Sequence, residues 1–411
     1  MSVGKSLETP YHQQDTNYYC GAANAQMVLE EIGAGVLSQD DLYNDNHNHS
    51  VLEPGWYTAP DGLAWTLNNR KPDSVTDPFV VFGLEAEDAI SRKICWTIEH
   101  YGVSACALVL GSLHWVVVRG YRASATPSAS DDIGYTISDF WVNNPWPPVP
   151  EDVEAPPPHG DTDDCGAGGT RGIAFEQITY LQWRDTYMTG VSEGYWAGDF
   201  VAVCDPEPAA TRVGESLNFA SLHSGESIIT VAEAVECAQI GFDLYELGSV
   251  DWFHDRFAQG LSPSEPILVQ RLDRNDEYYY IVPFLGANQQ TSILSCVDAR
   301  YGSYLQTGAP RQPAGNNSSD AGAKPDMWQA PQREHLHEAL RGKSVDLGRK
   351  GGRLSLRPEV YAPYPSLVWR PCLESLSPFY PFVMIQNGEN TVYMRLDGQV
   401  FTELTTDVRG V

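Results

Sequence analysis

The sequence has no run of about 18 or more apolar residues, the minimum for a helix that crosses a bilayer. Residues 1–14 lack the apolar core of a signal peptide, so Sec export is not expected and a cytoplasmic location is. Basic residues are scarce: 26 Lys and Arg stand against 54 Asp and Glu, a formal charge of −28. Such a field repels nucleic acid and anionic lipid, so neither is expected as a partner. It tolerates a basic peptide partner, although a solvated acidic surface is its plainer use. The eight cysteines include no Cys-x-x-Cys pair, which argues against a zinc site or a redox motif. Most lie in apolar runs such as 94–96 and 104–110, as buried free thiols do in a reducing compartment. The glycine-rich stretches at 166–172 and 348–352 follow no strand and open no helix, so no phosphate loop is supported.

What is present is apolar and aromatic material for two cores: 42% hydrophobic residues, with 11 Trp, 21 Tyr and 13 Phe in 411 residues. A chain of this length exceeds the usual limit of one core, so two domains are expected. Residues 18–33 carry Ala25, Val28, Leu29 and Ile32 at helical spacing, with Gly33 and Gly35 as a stop. The polar run at 44–50 is expected to interrupt, and a second amphipathic segment covers 85–101. The period then changes to that of strands at 106–110 and 114–121, joined by a tight turn, with a further strand at 134–142 ended by Asn143, Asn144 and Pro145. Residues 147–170, rich in Pro, Gly and acid, read as an exposed insertion. A helical stretch at 175–188 and a strand at 198–204 follow, and the Pro-containing segment 205–210 marks a boundary. The expected domains are 1–207 and 208–411. The second opens with a helical region at about 227–258. Two similar β segments follow, 267–306 and 366–404, each with a Leu-Val-x-Arg strand and a Tyr near a Pro-Phe pair. Residues 308–330 between them read as flexible.

The chemistry-bearing string is residues 11–29. A catalytic thiol needs an environment that favours the thiolate, and Cys20 at the start of a helix meets unpaired N–H groups and the positive end of the dipole. Gly21, Ala22 and Ala23 let a substrate backbone come close. Gln14, six residues upstream (20 − 14), could direct its side-chain amide at an oxyanion formed on attack by Cys20, alongside the Cys20 N–H. Other histidines have bland readings. His47 and His49 sit in a polar loop as solvated residues, and His335 and His337 fall on different helix faces. The aromatic side chains of the second half could line a peptide or carbohydrate groove, with core packing as their commoner use.

Gln14 followed by Cys20-Gly21-Ala22-Ala23 and a helix into Met27-Val28-Leu29 resembles the active-site entry of papain-like cysteine peptidases. The resemblance is closest to the bacterial branch that includes peptidases removing double-glycine leaders, and covers about residues 8–207. The chain lacks the Cys-Gly-Ser-Cys-Trp run of plant papains and cathepsins, and has Ala22 where Pro is common in the bacterial form. The resemblance implies an α+β papain-like fold, an N-terminal helix with an antiparallel sheet, followed by a mostly β accessory domain. It implies Cys20 as nucleophile, His114 at a strand start as general base, Asn144 before Pro145 as the residue orienting the imidazole, and Gln14 at the oxyanion. Asp139, on the same strand as the asparagine, is the competing orienter. The expected reaction is peptide hydrolysis through an acyl-thioester, with a peptide or protein substrate and neither cofactor nor metal. A protein partner could bind through residues 208–411. The alternatives are acyl transfer or deamidation by the same thiol, or an inactive peptidase-like binding protein.

Overall fold

The computed structural model describes residues 2–147, 173–205, 228–274, 277–310, 326–328, 344–346, 353–355, 366–387 and 390–410. Two compact units divide the chain: Met1–Phe219 together with Asp407–Val411, and Ala220–Thr406. The expected insertion at 147–170 and the boundary segment 205–210 fall almost wholly outside the described residues, as do His335, His337 and both glycine-rich stretches. The division falls after residue 219 and not after 207, and the last five residues belong with the first unit.

The first unit begins with β1 (Val3–Ser6) and the helices α1 (Cys20–Glu31), α2 (Gln39–Asn48) and α3 (Pro60–Arg70). Every residue of α1 from Cys20 to Leu29 is buried, as befits a helix enclosed by α2, α3 and the sheet rather than laid on a surface. It starts at Cys20, two residues later than the periodicity suggests, and ends before Gly33, whose φ of +90° stops the helix. The polar run at 44–50 does not interrupt; α2 continues through Asn48. Local polarity is overridden because Leu42 and Asn46, one turn apart, are buried where α2 packs on α3. The approach is so close that a Cβ at Gly62 would lie 2.0 Å from the Asn46 carbonyl oxygen.

The sheet of this unit contains β2 (Val80–Leu84), β3 (Ala105–Val109), β4 (His114–Ala123), β5 (Ile137–Asn143), β6 (Ile173–Thr179) and β7 (Phe200–Cys204), with α4 (Glu87–Trp96) after β2. Their order is β6-β5-β4-β3-β7-β2, with every neighbouring pair antiparallel. β1 pairs with the far end of β4, Val3 opposite Ala123. All ten residues of β4 are buried, so it is the central strand. The helix expected at 175–188 is a strand over Ile173–Thr179, followed by short helical turns from Tyr180 to Tyr187 that include α5 (Tyr180–Gln182). The open edge of β5 accounts for this: Val142 faces Glu176 and Phe140 faces Ile178, and the ladder outweighs local preference.

The second unit starts with α6 (Val231–Leu244) and α7 (Asp251–Ala258), so the helical region is two helices with a turn between them. α6 opens on a capping box in which Thr230 Oγ1 accepts from the Glu233 N–H and the Glu233 carboxylate accepts from the Thr230 N–H. Its strands are β8 (Ser262–Pro263), β9 (Ile267–Arg271), β10 (Tyr278–Leu285), β11 (Thr291–Asp298), β12 (Tyr304–Pro310), β13 (Ser344–Asp346), β14 (Arg353–Ser355), β15 (Ser366–Trp369), β16 (Phe382–Asn387), β17 (Asn390–Arg395) and β18 (Val400–Phe401). The main order is β18-β17-β16-β15-β9-β10-β11-β12. β9 and β15, the two Leu-Val-x-Arg strands, lie side by side and parallel, and each leads outward into its own antiparallel run. The sequence similarity of the two segments thus coincides with two like halves joined at a parallel seam. Many rings of this unit pack inward: Tyr279, Tyr280, Trp328, Trp369, Phe379 and Tyr380 are all buried, while Tyr301 is exposed. Both units mix helices with antiparallel strands, an α+β architecture.

Candidate active site

Cys20 is the first residue of α1, and its Sγ accepts a hydrogen bond from the Trp115 backbone N–H at 3.2 Å. That donor directly follows His114, so the thiol sits at the mouth of β4 where the histidine begins. Asn24, one turn along the helix, ties the same two elements: its Nδ2 donates to the carbonyls of Cys20 at 2.8 Å and Trp115 at 3.0 Å.

His114 Nε2 and Asn144 Oδ1 are 2.8 Å apart. The Trp146 N–H also donates to Asn144 Oδ1, at 3.1 Å, which marks that atom as the amide oxygen. An oxygen without a proton requires Nε2 to carry the N–H, which makes Nδ1 the nitrogen that gains or loses a proton. The Asn144 amide end hydrogen-bonds Glu176, and Tyr187 Oη donates to Glu176 Oε2 at 3.3 Å. Tyr11 Oη holds the Asn144 backbone carbonyl at 2.9 Å. His114, Asn144 and Glu176 are thus linked by side chains from three adjoining strand segments, all almost completely buried.

Asp139, the competing orienter, takes no part in this. It faces Arg122 across β4 and β5, with Oδ2 3.6 Å from Arg122 Nε. Arg122 lies eight residues beyond His114 (122 − 114), about 26 Å along an extended strand. Gln14 is fully buried, but its Nε2 donates to the Thr16 carbonyl at 2.8 Å and its backbone N–H to Pro145 O at 2.9 Å. In this state its amide is engaged with the loop that leads into α1. Gly21 does permit a close approach, and the group that makes it is Thr58, whose side-chain atoms would lie 2.4–2.6 Å from a Cβ there.

Cys20, His114 and Asn144 each have 0% exposure. Burial pushes the Cys20 thiol far above its ordinary range, against the opposing N–H groups of Trp115 and Gly21. The N–H groups at the helix start pull the thiol down, as expected, but burial outweighs them, because removing a charge from water costs more than those groups recover. Burial also raises Glu176, to about 8, and Asp139, to about 7. A helix over 175–188 does not predict Glu176 beside Asn144; the strand Ile173–Thr179 brings it there. The signal in the sequence is a lone acid within a stretch that carries Ile173, Phe175, Ile178 and Thr179.

The other histidines fill local roles. His47 Nδ1 is 3.0 Å from Trp56 O, and His49 stacks on Trp65 with ring centroids 3.3 Å apart. Seven cysteines, all except Cys165, are buried free thiols. Among the described residues no helix is long and apolar enough to cross a membrane.

Comparison of the chain with protein-family models, curated proteins and solved structures found no match. The site therefore rests on its own geometry.

Proposed function

We propose that the chain is a cysteine peptidase of papain-like type, with Cys20 as nucleophile, His114 as general base and Asn144 as the residue that orients the imidazole. One observation carries this reading: the His114–Asn144 hydrogen bond leaves Nδ1 basic on a ring one residue from the N–H that contacts the Cys20 sulfur. In the reaction His114 Nδ1 takes the Cys20 proton, and the sulfur attacks a peptide carbonyl carbon. His114 then returns the proton to the leaving amine as the C–N bond breaks, giving an acyl-thioester. Water, deprotonated by the same nitrogen, hydrolyses the thioester and frees the thiol. The Cys20 backbone N–H faces the developing oxyanion, and Gln14 joins it once its amide leaves Thr16. Neither a metal nor a cofactor enters any step.

The α+β mixture and the burial of the thiol beside the histidine strand support this reading. Labelling tests it: a peptide carrying a thiol-reactive electrophile should modify Cys20 alone among the cysteines, and Cys20→Ala should remove both labelling and hydrolysis. Hydrolysis that persists in Cys20→Ala would overturn the assignment.

A further inference from the structure

A segment of the chain from far along the sequence lies against the active site. Residues 407–410 return to the first unit and run between two backbone segments. On one side the Tyr57 N–H donates to Arg409 O at 3.4 Å and the Thr58 N–H to Gly410 O at 2.8 Å; on the other, the Gly410 N–H donates to Ser112 O at 2.7 Å. Both walls belong to the catalytic neighbourhood. Thr58 packs its side chain on Gly21, next to Cys20, and its carbonyl accepts from Trp115 Nε1 at 3.1 Å. Tyr57 stacks on Tyr18, two residues before Cys20, with centroids 5.1 Å apart. Ser112 is two residues before His114, in a turn where Leu110, Gly111 and Ser112 all have positive φ (57°, 67° and 75°). Strain of this kind at non-glycine residues persists only where the surroundings hold it, and here it presents the Ser112 carbonyl to Gly410.

The contacts are main-chain ones, as when a peptide adds an extended segment to a backbone edge. They also select a residue. Gly410 has φ +60°, and a Cβ there would lie 2.0 Å from the Thr58 carbonyl oxygen. Only glycine fits that position. Arg409 reaches sideways to Glu193, with Nη2 3.1 Å from Oε1.

We propose that residues 407–410 occupy the cleft between Tyr57–Thr58 and Ser112 in cis, as a reversible competitor of peptides at the Cys20 centre, held in a backbone conformation that admits only glycine at position 410. This rests on the peptidase reading, and the complete burial of Cys20 and His114 agrees with an occupied, closed site. A substrate must then displace the segment, so the intact chain works at the fraction of time the cleft is open.

The experiment is Gly410→Val in the full chain, with Arg409→Glu, which repels Glu193, as a milder second variant should the first misfold. Two quantities are read: the rate of Cys20 alkylation by iodoacetamide, and the affinity for a fluorescent peptide of residues 405–411 added in trans. A minor open state is commonly populated at 10% or less, so alkylation should rise at least about tenfold in Gly410→Val. The variant should bind the peptide more tightly than the native chain does, and a peptide with Val in place of the glycine should not bind. Unchanged alkylation in both variants, or equal binding of the two peptides, overturns the proposal. Faster alkylation with glycine-dependent binding but no peptide hydrolysis would uphold the cleft and sink the peptidase reading instead. Hydrolysis at equal rates in native and variant chains would do the reverse.

Discussion

Asn144 touches His114 and Glu176 through opposite ends of one amide: Oδ1 lies 2.8 Å from His114 Nε2, and the nitrogen end hydrogen-bonds the Glu176 carboxyl. The orientation of the imidazole therefore depends on a buried acid one strand further away. Asn144→Ala should lower kcat while leaving KM little changed. The loss is bounded by the roughly 10²- to 10⁴-fold that general acid–base catalysis supplies. Asp139→Asn should leave kcat intact, because Asp139 faces Arg122 and not the histidine. Steady-state kinetics on a glycine-containing peptide separates the two, and a larger loss in Asp139→Asn would reverse the assignment.

Glu176 should behave as a positioning residue. Its carboxyl, raised by burial to about 8, is neutral at pH 7 and ionises above that. Glu176→Gln keeps a polar neutral partner for Asn144, so kcat near pH 7 should survive. The inflection that Glu176 ionisation imposes on the kcat profile near pH 8 should disappear. Glu176→Leu removes the partner altogether and should lower kcat across the whole range. Identical pH profiles for the native and Gln forms would show that Glu176 only fills space.

Stability should fall as pH rises from acid towards neutral. Burial raises Asp15 and Asp205 to about 6, Glu87 and Asp139 to about 7, and Glu176 to about 8. A carboxyl raised on folding holds more protons in the native than in the unfolded chain between its unfolded and folded values. The slope of unfolding free energy with pH is negative across that window. Urea midpoints should thus be higher at about pH 5 than at about pH 8. Glu176→Gln, which cannot titrate, should flatten the profile between about pH 5 and about pH 8. A profile that rises with pH would contradict the assigned burial effects.

The capping box at the start of α6 gives a test in the second unit. Thr230→Ala removes the acceptor of the Glu233 N–H at 3.3 Å and should cost about 1 kcal/mol. Because the box lies outside the unit that holds Cys20, Cys20 alkylation should not change. Denaturant titration followed by labelling checks both halves of the expectation.

Much of the first unit is legible in the sequence because its signals are local. The spacing of Ala25, Val28 and Leu29 marks α1, the apolar runs around Gly111 and Ser112 mark β3 and β4, and Cys20, His114 and Asn144 stand out by type and order. What the sequence could not determine depends on pairing between distant segments. Register decides that Asn143 faces Val117, which brings Asn144 to His114, while Asp139 is carried along β4 to Arg122. The free edge of β5 turns 173–179 into a strand and delivers Glu176 to Asn144. Burial of Cys20 outweighs the pull of the N–H groups at the helix start, because burial is a property of the packed chain and not of the helix. The return of Gly410 to Thr58 and Ser112 joins residues 352 (410 − 58) and 298 (410 − 112) apart in sequence by main-chain hydrogen bonds. Main-chain groups are the same at every position, so only the tertiary structure could reveal that contact.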